Sequence, residues 1–229
     1  MEYPKINSLW KRQFTEKDSI TGQIRFLDKG KSGNPLIPGD YSEPEFGNIK
    51  KWHVEEKVDG TNIRIKFCPK VGELQTHALY FEGRTSNAQI PPHLLSYLNK
   101  TFTSEVMNAV FPDASNVILF GEGYGPKIQG CGSNYRSDAG FILFDVVVGG
   151  WWLKREDVRE IALKLNIPAC PDLGVMSEDD IVSYVKSKPL SKCSLNPQMM
   201  EGVICRSDPL MLFRNGKPMV FKLKCRDFN

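Results

Sequence analysis

Residues 53–67 read HVEEKVDGTNIRIKF, and the way this stretch folds governs how the rest of the chain is read. TNIRIKF alternates polar with apolar residues, and the Asp-Gly step before it is a turn signal, so the pattern predicts a strand, a hairpin-like turn and a second strand. Lys57 falls at the mouth of that turn, with Glu56 before it and Asp59, Gly60, Thr61 and Asn62 after it. A solvated surface lysine accounts for such a placement if Lys57 stands alone. A nucleophilic amine is the alternative, and the remainder of the chain discriminates between them.

An amine attacks only when neutral. With a reference pKa near 10.4, about one lysine in a thousand is neutral near pH 7.4. Desolvation and neighbouring cations lower that value, and a shift of roughly three units corresponds to about 4 kcal/mol of bias toward the neutral form. Lys222 and Lys224 in FKLKC lie two residues apart, so on a strand both side chains point to one face and can supply those cations.

The chain has 229 residues, 41% apolar and 25% charged, with a formal charge of +3. That composition describes a globular protein and excludes disorder as its main state. A charge so near neutral neither requires nor excludes a nucleic-acid partner, because a basic groove can sit within it. The six cysteines, at positions 68, 131, 170, 193, 205 and 225, include no C-x-x-C pair and have no histidine at zinc-ligand spacing, so reduced thiols are expected. The longest apolar run, residues 141–148, is too short to span a bilayer and no signal segment opens the chain; no membrane association and a cytoplasmic location are expected.

Residues 1–50 are rich in Gly, Pro and charge and read as loops with short strands wrapping a domain edge. Strands are predicted at TNIRIKF, HALYFEGRT, NVILFGEGYG and AGFILFDVVV, and again at MEGVICRS and MVFKLKC around a turn at RNGK. One proline-started helix is predicted over residues 91–111 from Leu94, Leu95, Leu98, Phe102, Val106 and Val110. Two more follow: KREDVREIALKLNI, with Val158, Ile161, Leu163 and Leu165 inward, and SEDDIVSYVKSK, with Ser177 and Asp180 at capping spacing. Strands and helices do not alternate regularly, so the fold class is α+β with mainly antiparallel sheets, in a single domain over residues 1–229.

Lys57 does not stand alone. EKVDGTN resembles the first motif of the covalent nucleotidyltransferases, the superfamily of polynucleotide ligases and messenger-RNA capping enzymes, and the other motifs follow in the family's order. They are EGRT with Arg84, LFGEGYG with Glu122, ILFDVVV with Phe144 and Asp145, MEGVIC with Glu201, and VFKLKC with Lys222 and Lys224. DNA ligases and capping enzymes commonly carry arginine where this chain has Asn62, so the resemblance is to the RNA-ligase branch typified by phage T4 RNA ligase 2 and its bacterial and phage relatives. With few residues after Lys224, the oligonucleotide-binding-fold domain that DNA ligases and capping enzymes append is not expected.

The resemblance implies an adenylation domain of two mainly antiparallel sheets with flanking helices, and an ATP-dependent ligase sealing RNA 5′-phosphate and 3′-hydroxyl ends. Lys57 would attack the α-phosphorus of ATP to give lysyl-AMP, AMP would pass to the RNA 5′-phosphate, and the 3′-hydroxyl would then displace it. Glu56 would accept from the adenine amino group, and Phe144 would stack on the base. Asp59, Glu122 and Glu201 would touch the ribose or hold the water shell of Mg²⁺ or Mn²⁺. Arg84, Lys222 and Lys224 would neutralise phosphate charge, and Asn62 would hydrogen-bond a phosphoryl oxygen.

The loop GEGYGPKIQGCGSNY lacks the P-loop pattern and reads as a flexible lid, with Lys127 a candidate phosphate or RNA contact. Basic pairs at Lys11 and Arg12, Lys29 and Lys31, and Lys50 and Lys51 could track RNA, with a separate partner supplying RNA specificity. Two rival readings remain open at this level. They are a capping-type guanylyltransferase and a non-catalytic RNA-binding protein on a ligase fold.

Overall fold

The computed structural model describes residues 1–27, 34–69, 77–85, 88–112 and 116–228. Its strands are Asn7–Ser8 (β1), Trp10–Arg12 (β2), Thr15–Lys17 (β3), Ile24–Phe26 (β4), Leu36–Tyr41 (β5), Trp52–Lys57 (β6), Thr61–Pro69 (β7), His77–Glu82 (β8), Val117–Tyr124 (β9), Gly140–Val148 (β10), Trp151–Trp152 (β11), Asp172–Met176 (β12), Gly202–Ser207 (β13) and Val220–Lys224 (β14). The α-helices are Pro92–Thr101 (α1), Ser104–Val110 (α2), Gly132–Tyr135 (α3), Arg155–Lys164 (α4) and Glu178–Lys186 (α5). The fold is α+β, as the sequence predicts. Among the described residues no helix is long and apolar enough to cross a membrane, and none of the six cysteines is in a disulfide.

The chain forms two compact units. One comprises Met1–Pro4, Val58–Pro171 and Ser191–Gln198; the other comprises Lys5–Lys57, Asp172–Leu190 and Met199–Asn229.

The first unit is built on the five-stranded antiparallel sheet β11-β10-β9-β7-β8. One face of it buries Ile63, Ile65, Phe67, Leu119 and Phe141 against Leu94 and Leu98 of α1, Met107 of α2 and Val158 and Ile161 of α4. The other face carries Asn62, Arg64, Phe120 and Glu122, because successive strand residues alternate sides. The helix predicted over residues 91–111 is two helices. Phe102 and Thr103 leave the helical region, and the Thr103 hydroxyl accepts from the Val106 N–H at 3.3 Å, capping α2. In α4 the inward stripe is Val158, Ile161, Ala162 and Leu165, and Leu163 is exposed. This is the i, i+3, i+4, i+7 spacing, with Ala162 in the place expected for Leu163.

The second unit is built on the sheet β1-β14-β13-β6-β12, antiparallel except for the β1 to β14 pairing. Trp52, Val54, Val203, Cys205, Phe221 and Leu223 share one face of it and pack with Ile181 and Val185 of α5 and with Phe46. Ser177 caps α5 through its hydroxyl, which accepts from the Asp180 N–H at 3.3 Å. Segment 1–50 supplies short strands, with β1 on the edge of the sheet and β2 paired with β5.

The hairpin expected around Lys57 does not form. β6 pairs with β12 and β13, whereas β7 pairs with β8 and β9, so the strands on either side of Val58-Asp59-Gly60 belong to different sheets. Both carry enough apolar residues on one face to join a core of their own, and that burial outweighs the local turn preference.

Candidate active site

Strand register sets the centre of the second unit. Gly202 in β13 lies opposite Lys57 of β6 on one side and Lys224 of β14 on the other. Two lysines therefore flank a residue with no side chain, immediately after Glu201. The Glu201 carboxylate takes both: Lys57 Nζ donates to Oε2 at 2.6 Å and Lys224 Nζ donates to Oε1 at 2.6 Å. A Cβ on Gly202 would stand 2.1 Å from the Leu223 carbonyl oxygen, so the close approach of β14 requires glycine there.

Burial alone would raise the Glu201 carboxyl, but the Lys57 and Lys224 ammonium groups overcome it and hold the group below its ordinary 4.5. A carboxyl depressed by folding stabilises the fold above its unfolded pKa, and that stability is lost as pH falls through the lower folded value. Thermal melts taken from about pH 6 to about pH 3 should show wild type losing stability below about 4.5, with its advantage over Glu201→Gln shrinking as the acid limit is approached. A constant difference between the two proteins across that range would contradict the ion pairing.

The cations in FKLKC are thus not simply opposed to Lys57: an anion sits between Lys57 and Lys224. Lys222 shares the Lys224 face and lies opposite Ile204. Glu56 alternates to the other side of β6, the face carrying Val203 and Leu223, and is buried there. The carboxylate on the Lys57 side is Glu55, buried and paired with Arg206. Nothing in the sequence distinguishes Glu55 from Glu56 without the register.

In the first unit, Asn62 and Glu122 are direct cross-strand partners on β7 and β9. Asp59 and Gly60 precede them in a turn held by the loop that the sequence marked as a lid. The Asp59 N–H donates to the Tyr135 hydroxyl at 3.4 Å, and Gln129 Nε2 donates to the Gly60 carbonyl at 3.1 Å. The first four residues of the proposed lid, 121–124, belong to strand β9, and Tyr135 at its end is buried. A Cβ on Gly60 would meet the Gly123 carbonyl oxygen at 2.3 Å and Glu122 Cγ at 2.8 Å. Gly60→Ala must shift β9 or the turn, and is expected to cost about 2 kcal/mol, a drop in melting temperature of about 4 to 8 °C by calorimetry.

Phe144 is half-buried on β10, Arg84 is exposed just past β8, and Lys127 is exposed with a backbone φ of 61°. Lys11 and Arg12 are engaged by Asp40 and Asp227. Lys50 and Lys51 are exposed, and Lys29 and Lys31 lie outside the described residues.

Among the described residues no three His, Cys, Asp or Glu side chains are arranged to take a metal ion directly. The buried Asn62 Oδ1 has no hydrogen-bond partner among the described residues, and Glu122 lies beside it in register. These are hard oxygen donors, the kind that suits Mg²⁺ or Mn²⁺ held partly through water.

A family model described as RNA ligase matches residues 50–224, which include every one of these side chains from Lys57 to Lys224. The chain belongs to the RNA ligase family. In fold it is similar to Naegleria gruberi RNA ligase solved with PPi, at 17% identity and a TM-score of 0.55, covering 88% of this chain and 62% of that one. A variant of the Naegleria ligase with ATP and Mn gives 17% identity and a TM-score of 0.54, and another with AMP and Mn gives 16% and 0.53, each covering 76% of this chain and 49% of the other. The RNA ligase family chain described here therefore spans about half the length of those two solved ligase chains. No curated protein matches its sequence.

Proposed function

We propose that this chain is an ATP-dependent RNA ligase that joins RNA 5′-phosphate and 3′-hydroxyl ends through lysyl-AMP. The observation that carries the reading is the row Lys57, Gly202, Lys224 with Glu201 bridging the two amines. The neighbouring Lys224 cation favours the neutral amine that a covalent phosphoryl acceptor needs, whereas the Glu201 contact favours the ammonium until it is released.

In the first step Lys57 Nζ, having given up its proton, forms a bond to the α-phosphorus, and the bond to pyrophosphate breaks. Lys224 and Lys222, on one face of β14, neutralise the charge that develops on the phosphoryl oxygens. Arg84 and Asn62 contact phosphate, and Phe144 offers a ring face to the base. Asp59, Glu122 and Asn62 provide oxygen donors for a hydrated divalent ion, which would supply Lewis-acid charge neutralisation at the triphosphate. The Naegleria ligase of similar fold has been solved with ATP and Mn, with AMP and Mn, and with PPi, the reactant and the two fragments of such a step.

The two later steps transfer AMP to the RNA 5′-phosphate and release it on attack by the 3′-hydroxyl. A cytoplasmic setting, one adenylation domain over residues 1–229 and a separate source of RNA specificity belong to the same proposal. A panel of 5′-labelled RNAs, nicked duplex and single strand, is expected to yield phosphatase-resistant product with ATP and Mg²⁺ or Mn²⁺. Labelled protein with no joined RNA from any member of the panel would leave an adenylating enzyme but refute ligation.

A further inference from the structure

The amino terminus takes part in the first unit, at the place where Phe144 is held. The register of β10 against β9 slips between Leu143 and Asp145, so Phe144 sits in a bulge, a device that re-aims one side chain. Arg155 of α4 fixes the bulge by donating to the Phe144 carbonyl through Nη1 and to Asp145 Oδ1 through Nη2. Tyr3 fixes it from the other side. Its hydroxyl donates to Asp145 Oδ2 at 2.5 Å, and its ring meets that of Phe144 edge-on, with centroids 5.0 Å apart.

Tyr3 is only 7% exposed, because Phe120 at 5.0 Å and Trp152 at 5.8 Å complete an aromatic cage around it. The Met1 carbonyl accepts from Arg64 Nη1 at 2.9 Å, so the terminal residues are anchored at a second point on the same sheet face. Tyr3 is thus joined to Phe144 in two ways, through the ring edge and through the peptide that Asp145 and Arg155 clamp.

We propose that Tyr3 is a positioning residue that sets the orientation of Phe144 for nucleobase recognition. The inference rests on the reading of Phe144 as the base-stacking ring. A residue acting this way changes the binding of the base and leaves both the phosphate contacts and the chemical step alone. A residue that merely stabilised the fold would not separate them.

The test is steady-state labelling of the full chain by α-labelled ATP, with inorganic tripolyphosphate as a competing ligand that has no base. Tyr3→Ala is expected to raise the KM for ATP about tenfold, the size of one aromatic pair, with the maximal labelling rate within about twofold of wild type and tripolyphosphate inhibition unchanged. Tyr3→Phe keeps the ring, loses the bond to Asp145, and is expected to raise KM about threefold. It decides the matter if Tyr3→Ala does not fold. An unchanged KM in the folded variants, or a loss of rate with KM unchanged, overturns the positioning role while leaving the ligase reading intact. Failure of the wild-type protein itself to take label overturns both.

Discussion

Lys57→Ala is expected to take no label from α-labelled ATP, a loss below detection rather than a partial one. In the proposed step the phosphoramidate forms on Lys57 Nζ, and Lys224, on the opposite oxygen of Glu201, acts as a cation. Lys57→Arg should fail equally. A guanidinium keeps the charge and the contact with Glu201 but cannot be deprotonated, so this variant separates nucleophile from cation. Both variants should retain cooperative unfolding, because the core beneath β6 is made by Trp52 and Val54 on its other face. Residual labelling in either would place the acceptor elsewhere.

Glu201→Ala is expected to damage stability and activity together. It leaves two ammonium groups on either side of Gly202 without the carboxylate that each contacts at 2.6 Å. Both amines and the carboxylate are largely shielded, so removing the shared partner should cost about 3 kcal/mol, seen as a fall in melting temperature of about 6 to 12 °C. Lys224→Met added to Glu201→Ala should recover part of that stability by removing one uncompensated charge, without restoring labelling. The double-mutant cycle therefore reads the coupling directly, and strict additivity would contradict the shared bridge.

The α+β class and the strands carrying most of the motif residues were legible in the sequence because the alternation in TNIRIKF and VFKLKC and the apolar run in ILFDVVV are local properties of the chain. Which sheet each strand joins was not. β6 and β7 look like the arms of one hairpin, and only the two separate cores show that they part at Val58-Asp59-Gly60. The same register places Glu56 on the face of β6 opposite Lys57 and Glu55 on the Lys57 side, which the motif alone does not specify. The meeting of Lys57 with Glu201, 144 residues apart, depends on β13 inserting between β6 and β14. Spacing within a motif cannot disclose that. The break between α1 and α2 was hidden by apolar residues that keep helical rhythm across the Thr103 cap, and Tyr3 offered no signal beyond being an aromatic near the terminus.

The measurement closest to the central claim is intact-protein and peptide mass spectrometry of the wild-type chain after incubation with ATP and Mg²⁺ or Mn²⁺. The account predicts a gain of one adenylyl group, located on the peptide containing Lys57, labile in acid and removed by added pyrophosphate. No adduct with ATP under either metal, or an adduct formed from GTP instead, would contradict it.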